Sequence, residues 1–146
     1  MTYIIRCINL PYEKKQIFEI VNNVDRYSKF LPWCTFSKVL KKHNNILICE
    51  TQCSFLGIKE SFITKNTISK NTKIVINLIS GSFNYFLATW NFYSLSKNTS
   101  QIKFELTCES KYKHINIATK FFLKKYINNV IYFFLEEAKK INIKKF

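Results

Sequence analysis

Hydrophobic and polar positions change period twice along this chain. Thr2 to Asn9 is rich in isoleucine and tyrosine and reads as a strand, closed off by Pro11. From Tyr12 to Val24 the apolar positions Ile17, Phe18, Ile20, Val21 and Val24 fall at helical spacing. They predict a short amphipathic helix, with Glu13 and Glu19 near its start, where the helix dipole favours negative charge. Asp25 is a residue type that caps helices, so a second, shorter helix is expected over Arg26 to Phe30. That helix has to end before Pro32, which pushes Leu31 towards an extended conformation.

From Thr35 the period becomes two. Strands are predicted at Phe36–Lys42, Ile46–Phe55, Ile58–Ser69, Lys73–Ser80, Tyr85–Leu95 and Gln101–Tyr112, divided by short turn-like pieces rich in Asn, Gly, Ser and Lys. Such short connections favour antiparallel hairpins. In the last strand Ile102, Phe104, Leu106 and Cys108 alternate with Lys103, Glu105, Thr107 and Glu109, which predicts one buried and one wet face. Leu47, Cys49, Thr51, Cys53 and Phe55 likewise share a face, as do Phe86, Ala88, Trp90 and Phe92.

The helical period then returns from His114 to about Ile141, without Gly or Pro. Ala118, Phe122, Tyr126, Val130, Phe134 and Ala138 form its apolar stripe, widened by Leu123, Ile127, Ile131 and Ile141. At 1.5 Å per residue this helix would run about 40 Å. The order is strand, two helices, six strands, long helix. It predicts an α+β protein, a curved antiparallel sheet wrapped around a long C-terminal helix, as one domain over residues 1–146.

Composition modifies this picture in one respect. The 146 residues carry 23 Lys+Arg against 9 Asp+Glu, a net charge of +14, which points towards an anionic partner. Yet 21 of the 23 are lysine, beside 20 Ile and 15 Asn, as an AT-rich genome would impose. Part of the charge is therefore codon background, and arginine, the better phosphate fork, is nearly absent. Five dispersed cysteines, and a start at Met1 to Asn9 without the basic and apolar stretches of a signal peptide, predict a reduced cytosolic protein with buried thiols. No CxxC and only two His argue against zinc, and no apolar run is long enough to span a bilayer.

Several segments carry a family resemblance. Val24-Asp25-Arg26-Tyr27-Ser28-Lys29-Phe30-Leu31-Pro32-Trp33-Cys34 resembles the V-x-x-Y-x-x-F-L-P-x-C segment of the bacterial ribosome association toxin RatA family. Ser61 to Asn66 is similar to its S/T-F-x-T-R-N strand, Gly81-Ser82-Phe83 with Trp90-Asn91-Phe92 to its G-P-F … W-x-F element, and Ala138-Lys139-Lys140 to its closing A-K-E. Ser82 replaces the family's Pro, which should loosen that turn, and Lys65 its Arg. The resemblance implies the helix-grip fold shared by START-like lipid carriers and the birch-pollen-allergen (Bet v 1) type. The mitochondrial coenzyme-Q-binding chaperones belong to the same superfamily.

Two functions follow from the resemblance. One is binding of the large ribosomal subunit, which would block subunit association and inhibit translation. The other is binding of ubiquinone, or a similar isoprenoid lipid, in support of respiration. A space between sheet and helix would be lined by Phe62, Phe83, Phe86, Trp90 and Phe92 of the strands and by Phe122, Tyr126 and Val130 of the long helix. The same residues are also what a plain core requires. Phe30, Leu31 and Trp33, beside the Pro32 bend, either plug the core or form the mouth through which a greasy ligand enters. Lys120, Lys124 and Lys125 along one helix flank are the candidate ribosome contact, and they would also serve a transient membrane-surface contact. The family points to the cytoplasm, or to the periphery of the inner membrane where a lipid is handled.

Chemistry is thinly represented. Asp25, the only Asp, is assigned to a cap, and Glu136-Glu137 to the solvent side of the helix end. No nucleophile elbow, phosphate loop or placed acid pair emerges. A protein without catalytic activity or a required cofactor is expected.

Overall fold

In the computed structural model, residues 1–55, 58–111 and 116–144 are described, and the side chains of residues 55, 58, 112–122 and 143–146 are left aside. Seven strands form one antiparallel sheet in the order β1-β7-β6-β5-β4-β3-β2. They are β1 (Thr2–Leu10), β2 (Cys34–His43), β3 (Ile46–Phe55), β4 (Ile58–Ser69), β5 (Lys73–Ser80), β6 (Phe83–Ser94) and β7 (Ser100–Ser110). Between β1 and β2 lie helix α1 (Lys14–Asn22), a 3-10 turn (Val24–Arg26) and helix α2 (Tyr27–Phe30); helix α3 (Asn116–Lys144) ends the described chain.

The alternation read from the sequence sets the two faces of the sheet. One inward row runs across four strands, Ile68 beside Ile74, Ile74 beside Trp90 and Trp90 beside Phe104. Register shifts in β2, β5 and β6 mark β-bulges, which bend strands and increase twist, so the sheet curves around its contents. Against the inner face pack Ile17, Phe18 and Val21 of α1 and Ile127, Ile131, Phe134 and Ala138 of α3. Each large apolar side chain among them, withdrawn from water, contributes roughly 1.5–3 kcal/mol. Arg6 Nε on β1 donates to Asn128 Oδ1 of α3 at 2.8 Å, tying the edge strand to the helix. Among the described residues no helix is long and apolar enough to cross a membrane.

Several expectations need correction. The first helix spans Lys14–Asn22, not Tyr12 to Val24; Glu13 is its N-cap residue but makes no side-chain cap bond, and Glu19 sits past the first turn. Asp25 does not cap α2. Its carboxylate reaches across to β2 and accepts from the Val39 N–H at 2.8 Å, because the 3-10 turn aims it at the bulged strand. Glu137 is not on the solvent side of α3: it is 9% exposed and paired with Arg26 at 3.0 Å. Three residues beyond Phe134, it falls on the inward stripe, and only the guanidinium opposite makes that burial tolerable. Ile141, assigned to the stripe, is 37% exposed. Cys7 is exposed, since alternation puts it on the outer face, whereas Cys34, Cys49, Cys53 and Cys108 are buried. Ser82 does not leave its turn loose, because its hydroxyl donates to Glu60 Oε2 at 2.6 Å. Ala118 and Phe122, also placed on the stripe, lie outside the described side chains.

Candidate functional site

The Pro32 bend builds the first part of the site. Tyr27 on α2 donates its hydroxyl to the Val21 carbonyl of α1. The Leu31 N–H bonds the Tyr27 carbonyl at 2.9 Å, and the Cys34 N–H bonds the Leu31 carbonyl at 3.0 Å. These bonds turn the chain sharply from helix into β2. Leu31 is buried; Phe30 packs on Tyr27 and Phe134 with ring centroids 6.1 and 5.7 Å apart. Trp33 departs from both. It is half-buried and lies across α3, 5.2 Å from Tyr126 and 5.5 Å from Phe133. The segment therefore divides, with Phe30 and Leu31 closing the core and Trp33 bridging β2 to the helix.

The remaining predicted lining residues also separate. Trp90 and Phe92 are buried in solid packing, Trp90 being 4.6 Å from Phe104 and 5.6 Å from Phe134, and Phe92 5.4 Å from Phe18. Phe62, Phe83 and Phe86 form a second, half-buried chain of rings towards the β3–β4 end, with spacings of 6.1 and 5.3 Å. Val130 packs partly buried against the core, and Phe122 lies outside the described side chains. A cleft of about 200 Å³ opens between α1 and the last turns of α3, over Ile20 and Ala138 and beside the Arg26–Glu137 pair. Among the described residues predicted for the lining or its mouth, only Phe30 borders it.

The inner face also holds polar residues that the sequence reading does not single out. Pairing of Cys49 with Thr64 and of Leu47 with Asn66 turns both β4 side chains inward. Thr64 Oγ1 donates to Asn66 Oδ1 at 3.0 Å, and Asn66 is 5% exposed. The signal is present in the Ser61–Asn66 motif, since Phe62, Thr64 and Asn66 occupy alternate positions and must share a face. Lys65 points the other way, to the outer face. Burial holds the Tyr126 and Tyr27 phenols well above their ordinary value, so both are neutral donors.

Charge gathers elsewhere. In an up-and-down sheet the hairpins β2–β3, β4–β5 and β6–β7 all turn at one end. Their tips carry Lys41, Lys42 and His43; Lys70 and Lys73; and Lys97, all exposed, with no acidic residue in any of the three turns. Asn44 and Asn71 hold the left-handed φ values of 53° and 62° that keep two of these tips tight. Lys124 and Lys125 are exposed on α3, far along the chain from these tips; Lys120 lies outside the described side chains. Among the described residues, Asp25, Glu137 and His43 do not converge. Asp25 is bound to the Val39 amide, Glu137 to Arg26, and His43 stands on a hairpin tip.

A curved antiparallel sheet gripping a C-terminal helix defines a START-like helix-grip protein. The solved structure of a START superfamily protein from Mycobacterium smegmatis matches with a TM-score of 0.86 over 97% of this chain and 99% of that one, at 14% identity, a likeness of fold alone. Residues 10–135 match the family described as polyketide cyclase / dehydrase and lipid transport. The ribosome association toxin RatA of Escherichia coli strain K12 is 32% identical over 141 residues, covering 97% of this chain and 89% of its own length. The mitochondrial coenzyme Q-binding protein COQ10 homolog B of Xenopus laevis is 26% identical over 118 residues, 77% of this chain and 48% of its own length. The chain belongs to the polyketide cyclase / dehydrase and lipid transport family, and within it to the ribosome association toxin RatA proteins.

Proposed function

We propose that this protein is a non-enzymatic toxin of the cytoplasm that binds the large ribosomal subunit and keeps it from joining the small one. The observation that carries this reading is the RatA similarity, which extends along 97% of the chain and so includes sheet, bend and long helix together. The basic hairpin tips support it physically. A surface of lysines without acids is suited to RNA phosphate, and it suits a membrane less, since the large exposed apolar side chains near these tips, Leu40, Tyr93 and Leu95, are few.

Cosedimentation with purified large subunits tests the reading. Binding is expected to fall by about two orders of magnitude between ~50 and ~200 mM salt if about five lysines engage phosphates. No cosedimentation at the lower salt, or a complex indifferent to salt, would count against it.

A second reading, ubiquinone binding, is favoured by one observation: the Thr64–Asn66 pair sits on a largely apolar inner face, and ligand pockets combine an apolar lining with a few placed polar groups. The Xenopus relative is named for binding coenzyme Q. Organic extraction of the purified protein should then yield a quinone by mass spectrometry. Added ubiquinone at a hundredfold excess over its dissociation constant should stabilise the fold by about 2.7 kcal/mol. An empty extract together with an unchanged melting temperature would remove this reading.

A further inference from the structure

We propose that Cys34 and Cys53 are a disulfide-forming pair, a modification site that reversibly clamps the Pro32 bend to β3. The argument starts from register. Cys34 on β2 lies directly opposite Cys53 on β3. The Ser54 N–H donates to the Trp33 carbonyl at 2.8 Å, so the ladder bond flanks the pair rather than joining it. The two cysteines thus occupy a non-hydrogen-bonded position of an antiparallel ladder, where Cα atoms approach to about 4.5 Å and side chains are closest. That separation lies within the range a disulfide spans.

The side chains meet as the backbone predicts. Both cysteines are 5–6% exposed on the inner face, and the Cys34 thiol donates to the Phe36 carbonyl at 3.3 Å. The neighbouring Cys53 thiol draws Cys34 below the ordinary thiol range, while Cys34 and burial push Cys53 up. One sulfur is therefore the nucleophile and the other the resolving thiol. Cys49 and Cys108 are raised to about 11 by burial and face no cysteine across the ladder.

The oxidant is a small peroxide. The Cys34 thiolate attacks one peroxide oxygen, the O–O bond breaks, and the departing oxygen takes up a proton and leaves as water or an alcohol. Cys34 is now a sulfenic acid. The Cys53 sulfur then attacks the Cys34 sulfur, its proton passing to the departing hydroxide, which leaves as water. With hydrogen peroxide two thiols and one peroxide give one disulfide and two waters, and a dithiol reductant restores the pair by exchange. In a reducing compartment such a bond is transient, which suits a sensor and not a structural staple. Oxidation joins the start of β2 to β3 beside the first bulge and fixes Trp33 over Tyr126.

The full chain, treated with one equivalent of hydrogen peroxide, is digested without reduction and analysed by mass spectrometry. The expected product is an intramolecular peptide linked through Cys34 and Cys53, with the intact protein lighter by two hydrogens and restored by dithiothreitol. The rate should rise with pH as Cys34 ionises, at lower pH than an ordinary thiol requires. Cys53→Ser should instead trap a Cys34 sulfenic acid that dimedone labels, and Cys34→Ser should give neither product; both variants are checked for an unchanged melting temperature. Oxygen addition at Cys34 without a link, a link through Cys7, or thiols that stay reduced in the folded protein would each overturn the proposal.

Discussion

Glutamate at Lys41, Lys42 and Lys70 together should reduce affinity for the large ribosomal subunit by two to three orders of magnitude at ~0.1 M salt. The size follows from counterion release, which supplies about 0.7–0.9 of a decade per phosphate contact at that ionic strength. Three lost contacts give about two to three decades, and the introduced carboxylates add repulsion. The slope of log affinity against log salt should flatten by roughly two to three units. The three lysines are exposed on hairpin tips and make no ion pair among the described residues, so the fold should be affected by no more than about 0.5 kcal/mol each. Asn44 and Asn71, which hold the turns, are left in place. The comparison is Lys124→Glu with Lys125→Glu on α3, which should lose far less. Equal loss from both sets would return the contact to the helix flank; retention of binding by the tip variant would exclude the tips.

The alternation of side chains makes the sheet legible from the sequence. Ile102 to Cys108 announce one buried face, and the strand bounds of β3, β4 and β5 fall where period and turn residues place them. What the pattern does not encode is how strands register. The shift between Cys34 and Phe36 brings Cys34 opposite Cys53, and that pairing depends on a bulge formed only when β2 lies on β3. Sequence alone shows Cys49 and Cys53 on one face and leaves Cys34 unassigned.

Polar residues escape a local reading for a related reason. Rules of helix capping and helix-end exposure assign Asp25 to a cap and Glu137 to the solvent side, but each is held by a partner distant in sequence, the Val39 amide and the Arg26 guanidinium. Thr64 and Asn66 are readable as inward from Phe62 alone, yet a polar pair on a buried face contradicts composition-based expectation unless its own hydrogen bond is known. The site is thus legible in its aromatic inventory and not in its grouping. Ring contacts divide that inventory into a filled centre at Trp90 and Phe92 and a half-buried chain at Phe62, Phe83 and Phe86.

That division yields a large stability difference between two phenylalanines. Phe134 of α3 is 3% exposed and meets Trp90, Tyr27 and Phe30 at 5.6, 5.4 and 5.7 Å, joining the sheet, the Pro32 bend and the long helix. Phe134→Ala should cost about 3–5 kcal/mol, the transfer of the ring plus the cavity it leaves, because three rigid rings cannot collapse into the gap. Against a total stability of about 5–15 kcal/mol this is a third or more of the margin in most of that range. At about 2–4 °C per kcal/mol for a chain of this size the melting temperature should drop by roughly 10 °C. Phe134→Leu, which keeps most of the volume, should cost about 1.5 kcal/mol or less. Phe83→Ala, at the half-buried end, removes a ring already partly in water and should cost clearly less than Phe134→Ala. Chemical denaturation of the three variants decides the matter. If Phe83→Ala proves as damaging as Phe134→Ala, the packing centre lies under the β3–β4 end, and the space there is filled by side chains rather than open to a lipid.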